Sequence, residues 1–168
     1  FHKIYGGVVP EIASRMQLET IAQVAEAALR AAGVPLEKID LLSVTSGPGL
    51  LGSLLVGISF ARAVSLSSGI PLVEVNHVYS HIYANFLNGP SVRFPFVALV
   101  VSGGHTSLFY IKDFRKIKIL GQTQDDACGE AFDKVAKILG LSYPGGPLIE
   151  KLARSGDAKK IKFFCSGT

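Results

Sequence analysis

Cysteine and charge are both scarce in this 168-residue chain, and each scarcity excludes a class of protein. Its two cysteines, Cys128 and Cys165, are too few and too far apart to form a disulfide framework, which favours a reducing compartment. Only 18% of the residues are charged and 48% are hydrophobic, which excludes a disordered chain and predicts a globular protein with a large core. Residue 1 is Phe rather than Met, so we expect the chain to be part of a longer protein.

Charge is absent altogether from residues 41–61, a run long enough to cross a membrane. Small and polar residues interrupt the run, and Gly47-Pro48-Gly49 is typical of a break between a strand and a helix. We therefore expect a buried strand, a loop and a buried helix in this stretch, and no membrane partner.

Hydrophobic periodicity predicts an α/β protein in which two strand–helix units precede a meander of antiparallel strands. Residues 5–15 contain two glycines and a proline and are expected to be an irregular lead-in. The predicted elements are a helix over 18–32, a strand over 41–44, a helix over 50–68, a strand over 72–75, a helix over 77–87, strands over 96–101, 106–112 and 116–120, and helices over 130–139 and 147–154. The first two strands should be parallel because a helix connects them.

Two histidines four residues apart, His77 and His81, mark the first candidate site. They fall in the first turns of a helix that follows a strand, with Asn76 as its N-cap. Side chains at this spacing share one helix face, with Cβ atoms roughly 5–6 Å apart, so both imidazoles can bind one transition metal. Sites in α/β folds gather at the carboxyl ends of strands. A pair of ordinary surface or core histidines is the alternative.

Glycine-rich turns form a second group of candidates. Ser102-Gly103-Gly104 follows a strand, and its backbone N–H groups could cradle a phosphate with no Cβ in the way. An ordinary hairpin turn fits the same residues, and His105 could be a ligand, a hydrogen-bond donor to the substrate or a turn residue. Gly146 could let a ribose or phosphate lie against a helix N-terminus, although a bare loop fits equally well. The loop 47–53 lacks the lysine of a P-loop and is assigned a structural role.

Acidic residues cluster before and within the helix expected over 130–139. The helix dipole favours carboxylates there whether or not they bind a ligand. Glu130 and Lys134 have the spacing of an i,i+4 ion pair, which we expect to be structural. Asp133 is the acid placed to reach a ribose hydroxyl.

The basic excess permits a nucleic-acid partner without requiring one. Seventeen basic and 13 acidic residues give a net charge of +4. A late basic cluster is either a solvated face or a nucleic-acid contact; its members are Lys151, Arg154, Lys159, Lys160 and Lys162.

Taken together, in this order and spacing, the motifs resemble the universal tRNA N6-adenosine threonylcarbamoyltransferase family, whose catalytic subunit was once called O-sialoglycoprotein endopeptidase. They are Tyr5–Arg15, Ser46–Ser53, Val75–His81, Ser102–Thr106, Asp125–Lys134 and Tyr143–Pro147, and the resemblance covers nearly the whole chain. It implies the actin-like α/β fold of sugar kinases and chaperone ATPases, with two ribonuclease-H-like lobes and a nucleotide between them. Residues 1–90 would be the first lobe without its initial strands but with the metal-binding helix, and 91–168 the beginning of the second.

The resemblance also implies the site residues. His77 and His81 would be two ligands of one divalent metal ion, iron or zinc, with a third ligand beyond Thr168. No catalytic residue is assigned. The adenylate site would be lined by Val100, Val101, Ser102, Gly103 and Gly104, and the nucleoside held by Asp133 and Gly146, with Glu150 a weaker candidate.

The implied reaction transfers threonylcarbamoyl from threonylcarbamoyl-AMP to N6 of the adenosine 3′ of the anticodon, in tRNAs that read codons beginning with A. The implied partners are tRNA and either a paralogous subunit with a small ATPase or a second copy of the protein. The implied compartment is the cytoplasm, or the mitochondrion in a eukaryote.

Three other functions fit part of the sequence. A non-catalytic paralogue from the same complex lacks the metal site, so His77 and His81 argue against it. An ATPase or kinase of the same fold stays open, and nucleotide turnover without tRNA would identify it. A metalloprotease is disfavoured, because the zincin motif places Glu directly after the first histidine and Val78 stands there.

Overall fold

A computed structural model of the chain describes residues 8–87 and 92–162. Its elements, in order, are α1 (Pro10–Ala32), a 3₁₀ helix (Leu36–Lys38), β1 (Leu42–Gly47), α2 (Leu51–Ser68), β2 (Leu72–Asn76), α3 (His77–Tyr83), a 3₁₀ helix (Ala84–Phe86), β3 (Phe96–Val101), β4 (Thr106–Asp113), β5 (Lys116–Gln122), α4 (Cys128–Ile138) and α5 (Gly145–Ala153). The predicted α/β class is therefore confirmed.

The strands form two sheets. β1 and β2 are parallel, with Leu42 opposite Leu72, and α2 connects them. β3, β4 and β5 are antiparallel neighbours in chain order. Both arrangements confirm the sequence-based expectation. The boundary between the two expected lobes, at residues 90 and 91, lies outside the described residues, and the division into lobes stays a prediction.

The first helix begins earlier than expected, because the predicted irregular lead-in over 5–15 is helical from Pro10 onward. Pro10 occupies the first helical position, where a missing N–H costs nothing, so this proline starts the helix rather than breaking it. Glu11 lies in the first turn and pairs with Arg15 at 2.7 Å. Residues 5–7 lie outside the described residues.

The hydrophobic core is small, contrary to the expectation of a large one. Among the described residues, the buried hydrophobic side chains are Ile70, Val78, Ile82, Val100, Phe109, Ile111, Ala127 and Ala136. The main cluster lies where α3 covers the three-stranded sheet, with Val78 and Ile82 against Val100, Phe109 and Ile111. Ile70, Ala127 and Ala136 are buried outside this cluster.

No residue of α2 is buried, so the expectation of a buried helix there is wrong. α2 packs against α1 and β1, but a two-stranded sheet and one helix cannot surround it. Leu51 and Leu66 remain 72% and 86% exposed. By length and composition alone α2 could cross a membrane, and in this fold it lies on α1 and β1 instead.

Aromatic side chains join the end of α3 to the three-stranded sheet. The Tyr83 hydroxyl donates a hydrogen bond of 2.6 Å to the Phe114 carbonyl in the β4–β5 turn. Burial is the main cause that raises the pKa of Tyr83, so this hydroxyl stays protonated and remains a donor. Phe86 stacks on Phe94 with ring centroids 5.7 Å apart, and Phe94 meets Phe114 edge-on at 4.8 Å.

Candidate active site

The histidine pair lies where β2 passes directly into α3. Asn76 ends the strand, and its side-chain oxygen accepts hydrogen bonds from the N–H groups of Val78 (2.9 Å) and Tyr79 (3.1 Å). Asn76 is therefore the N-cap, as predicted. Because Val78 is buried against the sheet, the first turn of α3 is fixed in rotation, and His77 and His81 share another face.

The two imidazoles face each other across that turn. Their Nε2 atoms are 3.2 Å apart and their ring centroids 4.6 Å apart. Two nitrogens that share one tetrahedral metal at about 2.0–2.1 Å lie roughly 3.3 Å apart, so the pair fits one ion. No group of three or more His, Cys, Asp or Glu that could hold a metal occurs within residues 8–87 and 92–162. The third ligand expected beyond Thr168 stays a prediction.

The surroundings of His77 favour its neutral form. Desolvation by burial is the largest cause that lowers its pKa, and the neighbouring His81 and His105 lower it further. A metal binds the neutral imidazole, because the proton and the ion compete for the same nitrogen lone pair. His77 is thus favoured in the form whose nitrogen lone pair is free to act as a ligand.

The turn between β3 and β4 closes on itself. The N–H of Ser102 donates to the His105 carbonyl at 2.8 Å, and the N–H of His105 donates to Ser102 Oγ at 3.1 Å. Gly103 and Gly104 lie between them, and a Cβ on either would have no neighbour within 4 Å. In the part of the chain described, no acceptor pairs with the N–H of either glycine. The turn therefore exposes bare backbone, as a phosphate-binding turn requires.

The turn brings a third imidazole to the histidine pair. The ring of His105 lies 6.0 Å from that of His77, measured between centroids, and is tilted by 56°. Its role was open from sequence, since nothing in the local pattern relates residue 105 to residue 77. The fold answers the question of proximity, because α3 packs against β3 and its first residue, His77, lies near the turn that follows β3.

The start of α4 lies against this turn. The N–H of Gly129 donates to the Ser102 carbonyl at 3.1 Å, and the N–H of Cys128 donates to Thr106 Oγ1 at 2.8 Å. A Cβ at Gly129 would lie 2.8 Å from the Ser102 oxygen and 2.9 Å from Gly103 Cα, so only glycine fits there. Sequence reasoning missed Gly129 and Thr106, although a glycine in the first turn of an amphipathic helix is a signal of close packing.

The two predicted nucleoside-binding residues meet at the junction of α4 and α5. Asp133 Oδ1 accepts a hydrogen bond of 2.7 Å from the N–H of Gly145, the residue before Gly146. A Cβ on Gly145 would clash with Ala136 and lie 2.7 Å from the Phe132 oxygen, whereas one on Gly146 would meet nothing within 4 Å. One carboxylate oxygen of Asp133 thus supports the fold, and the surface at Gly146 is open.

The remaining charged candidates form ion pairs on the protein surface. Lys134 pairs with Glu130 at 3.2 Å, as expected, and also with Asp126 at 2.5 Å. The hydrogen bonds that Lys134 donates to Asp126, and then to Glu130, raise the pKa of Lys134. Glu150, the weaker nucleoside candidate, pairs with Arg154 at 3.0 Å.

Open cavities flank the histidine pair. One of about 500 Å³ runs along β3 and is lined by His81 and Ser102, among others. Another of about 520 Å³ lies between His77 and the loop at Pro48 and Gly49. A larger cavity of about 690 Å³ lies beneath α1 and α2 and is lined mainly by aliphatic residues, with no histidine. The chemistry-bearing side chains therefore border the two smaller cavities.

Comparison with known proteins agrees with these features. The family model for TsaD, tRNA N6-adenosine threonylcarbamoyltransferase, matches residues 1–168. The chain is 60% identical to the protein of that name from Geotalea uraniireducens over 162 residues, which are 96% of this chain and 47% of the relative. It is 59% identical to the one from Symbiobacterium thermophilum (94% and 46% covered) and 54% identical to the one from Caldicellulosiruptor saccharolyticus (96% and 48%).

The chain thus spans about half the length of the curated relatives it matches. Among solved structures, YeaZ from Pseudomonas aeruginosa superposes with a TM-score of 0.45 at 13% identity, covering 68% of this chain and 54% of that one. The resemblance read from the motifs is confirmed by the family model, since that model extends over every residue. This chain belongs to the tRNA N6-adenosine threonylcarbamoyltransferase family.

Proposed function

We propose that the full-length protein containing this chain modifies tRNA. It transfers the threonylcarbamoyl group from threonylcarbamoyl-AMP to N6 of the adenosine 3′ of the anticodon, in tRNAs that read codons beginning with A. The observation that carries the proposal is the match of the transferase family model to all 168 residues. The geometry supports it, because two imidazoles spaced to share one ion lie beside an exposed glycine turn.

His77 and His81 would hold one divalent metal ion, iron or zinc, together with a ligand from beyond Thr168. When bound, that ion supplies Lewis acidity toward a carbonyl oxygen. Asn76, which caps α3, and Val78 and Ile82, which anchor α3 on the sheet, would hold the two imidazoles in place for the ion.

The turn from Val100 to Gly104 would receive the adenylate, with the N–H groups of Gly103 and Gly104 directed to the phosphate. Asp133 and Gly146 would hold the nucleoside, Asp133 through the carboxylate oxygen that does not accept from Gly145. In the reaction the adenosine amine forms a bond to the carbamoyl carbon. The bond from that carbon to the phosphate oxygen breaks, AMP leaves with the electron pair, and the amine loses a proton.

The expected partners are tRNA and either a paralogous subunit with a small ATPase or a second copy of the protein. The exposed basic residues of α5 and the segment after it, such as Lys151 and Lys159, suit a polyanion. The reducing environment suggested by the cysteine content agrees with a cytoplasmic or mitochondrial location.

The transfer is tested with full-length protein, its accessory proteins, unmodified tRNA and threonylcarbamoyl-AMP labelled in the threonine. Label should enter the tRNA as AMP is released. The double variant His77→Ala/His81→Ala should lose both stoichiometric metal and label transfer. Glu74→Gln, at an exposed carboxylate on β2, should retain both. Nucleotide turnover without tRNA and without label transfer would instead identify a kinase or ATPase.

The adenylate turn is tested separately by Gly103→Val. Because a Cβ there would meet no protein atom within 4 Å, the variant should keep its thermal stability and bind AMP several-fold more weakly. Unchanged AMP affinity would remove Gly103 from the binding site.

A further inference from the structure

We propose that His105 contacts the group being transferred, donating a hydrogen bond from a ring N–H to the carbamoyl carbonyl oxygen of the donor substrate. This inference rests on the proposed function, since that function defines a substrate with a phosphate at one end and an acyl group at the other. It assigns the contact with the acyl group to His105, which follows the glycine turn and lies near the histidine pair.

His105 lies near the histidine pair but belongs to a different element. His77 and His81 stand on α3, whereas His105 comes from the β3–β4 turn, so two separate elements direct imidazoles to one place. The centroid of the His105 ring lies 6.0 Å from that of His77, farther than the 4.6 Å between His77 and His81. His105 therefore borders the pair without being part of its close contact.

Hydrogen bonds hold the backbone at His105 in place. The backbone of His105 is held at both its N–H and its carbonyl by Ser102. The next residue, Thr106, pairs with Val101 across the strands, and its hydroxyl oxygen accepts from Cys128 at the start of α4. The ring thus projects from a turn braced by three elements, as a group that must meet a short-lived charge requires.

The phosphate and the carbonyl group of the donor substrate are close together. In an acyl adenylate only one oxygen separates the phosphorus from the carbonyl carbon. A phosphate at Gly103 and Gly104 consequently places its carbonyl within a few bonds of the turn, on the way to the histidine pair. His105 leaves the same turn in that direction, because its ring approaches His77.

The chemistry needs such a donor. When the adenosine amine bonds to the carbamoyl carbon, electrons move onto the carbonyl oxygen. They return as the carbon–oxygen bond to the phosphate breaks and AMP leaves with the bonding pair, while the amine proton is released. A ring N–H of His105 directed at this oxygen would stabilise it while it carries the charge.

Two other roles for His105 predict different results. A third metal ligand would change metal binding, but no metal-binding group of three is found in the described part of the chain. A simple turn residue would affect only the turn. The test must therefore follow metal content, adenylate affinity and acyl-group affinity separately.

The experiment uses full-length His105→Ala, with His105→Asn and His105→Gln to restore a donor at the position of either ring nitrogen. The probes are AMP and an unreactive threonylcarbamoyl-adenylate analogue that keeps the carbonyl. His105→Ala should bind the analogue about tenfold more weakly, with AMP affinity within about twofold and metal content unchanged. One amide variant should recover most of the loss. In single-turnover transfer to tRNA, the rate should fall on the order of a hundredfold or more.

Each contrary result overturns the assignment. Loss of metal from His105→Ala would make His105 a ligand, and an equal loss of affinity for AMP and analogue would make it a turn residue. A wild-type protein with no preference for the analogue over AMP would overturn the proposed function as well. A preference that survives His105→Ala would overturn the His105 assignment alone.

Discussion

Two parts of the chain differ sharply in how they bury side chains. The first unit, residues 10–76, comprises α1, β1, α2 and β2, and among its described residues only Ile70 is buried. The second unit, residues 77–122 without the undescribed 88–91, holds the five-residue cluster between α3 and the antiparallel sheet. Three strands with a helix across one face enclose a core, whereas two strands with two helices leave each element open on one side. The histidine pair and the Ser102–Gly104 turn of the candidate site lie on the enclosed unit.

The comparison predicts its largest effect for the α3 core. Changing Ile82, which is 1% exposed, to Ala should lower the free energy of unfolding by about 2–5 kcal/mol. The loss comes from the transfer free energy of the removed atoms and from the cavity they leave. Leu66→Ala on α2, where the side chain is 86% exposed, should cost less than about 0.5 kcal/mol. Urea denaturation of the two variants measures both values. Equal losses would break the distinction between the units.

A second prediction carries the comparison to adjacent glycines at the α4–α5 junction. Gly145→Ala should destabilise by about 1–3 kcal/mol, because the new methyl group meets Ala136 and the Phe132 carbonyl. Gly146→Ala, where the space is open, should leave the unfolding free energy nearly unchanged but weaken AMP binding. Thermal denaturation and AMP titration of both variants separate packing from ligand contact. A reversed order of stabilities would contradict the close packing of α4 and α5.

A third prediction compares two acids on α4. Asp133→Ala should reduce AMP affinity at least about tenfold by removing a charge-assisted hydrogen bond to the ribose. It should also lower stability, because the Gly145 N–H loses its acceptor. Glu130→Ala breaks only an exposed ion pair with Lys134 and should change both quantities little. Isothermal titration of AMP into full-length variants decides this, and comparable affinities would make Asp133 a structural residue alone.

The smallest predicted effect is a pH dependence of the metal-free protein. The pKa of His77 is lowered in the fold, chiefly by burial, so protonation is less favourable in the folded state than in the unfolded one. Stability should therefore be independent of this group above its ordinary pKa of 6.5 and fall as the pH drops below that value. His77→Gln should flatten the melting temperature between about pH 5 and 7 relative to wild type. An identical slope in the variant would assign the dependence to other groups.

Local pattern predicted much of this molecule. The period of each segment gave most elements to within a few residues, and Asn76 identified the start of α3, because capping depends only on neighbours in sequence. Two features of the fold were missed. Pro10 looked like a breaker but sits at the one helical position that tolerates it, and the open sides of α2 depend on which elements surround it.

For the candidate site, too, the features that depend on neighbours in sequence could be predicted. His77 and His81 were found because four residues along a helix is a local distance, and the exposed turn at Gly103 follows from its glycines. The nearness of His105 to His77 and the fit of Gly129 against Ser102 depend on how separate elements pack, and no sequence spacing encodes them. The roles given to Asp133 and Gly146 stay predictions.

The contact between Tyr83 and the β4–β5 turn has a consequence for how a ligand would be received. Together with the core under Val78 and Ile82, it fastens α3 to the sheet that also carries the Ser102–Gly104 turn. The imidazoles and the turn are then preorganised. The entropic cost of bringing them together arises once, when the chain folds, and does not recur at each binding event. A substrate that contacts both the imidazoles and the turn would lose mainly its own conformational freedom on binding. Loosening the Tyr83 contact should therefore weaken the binding of large ligands more than that of small ones.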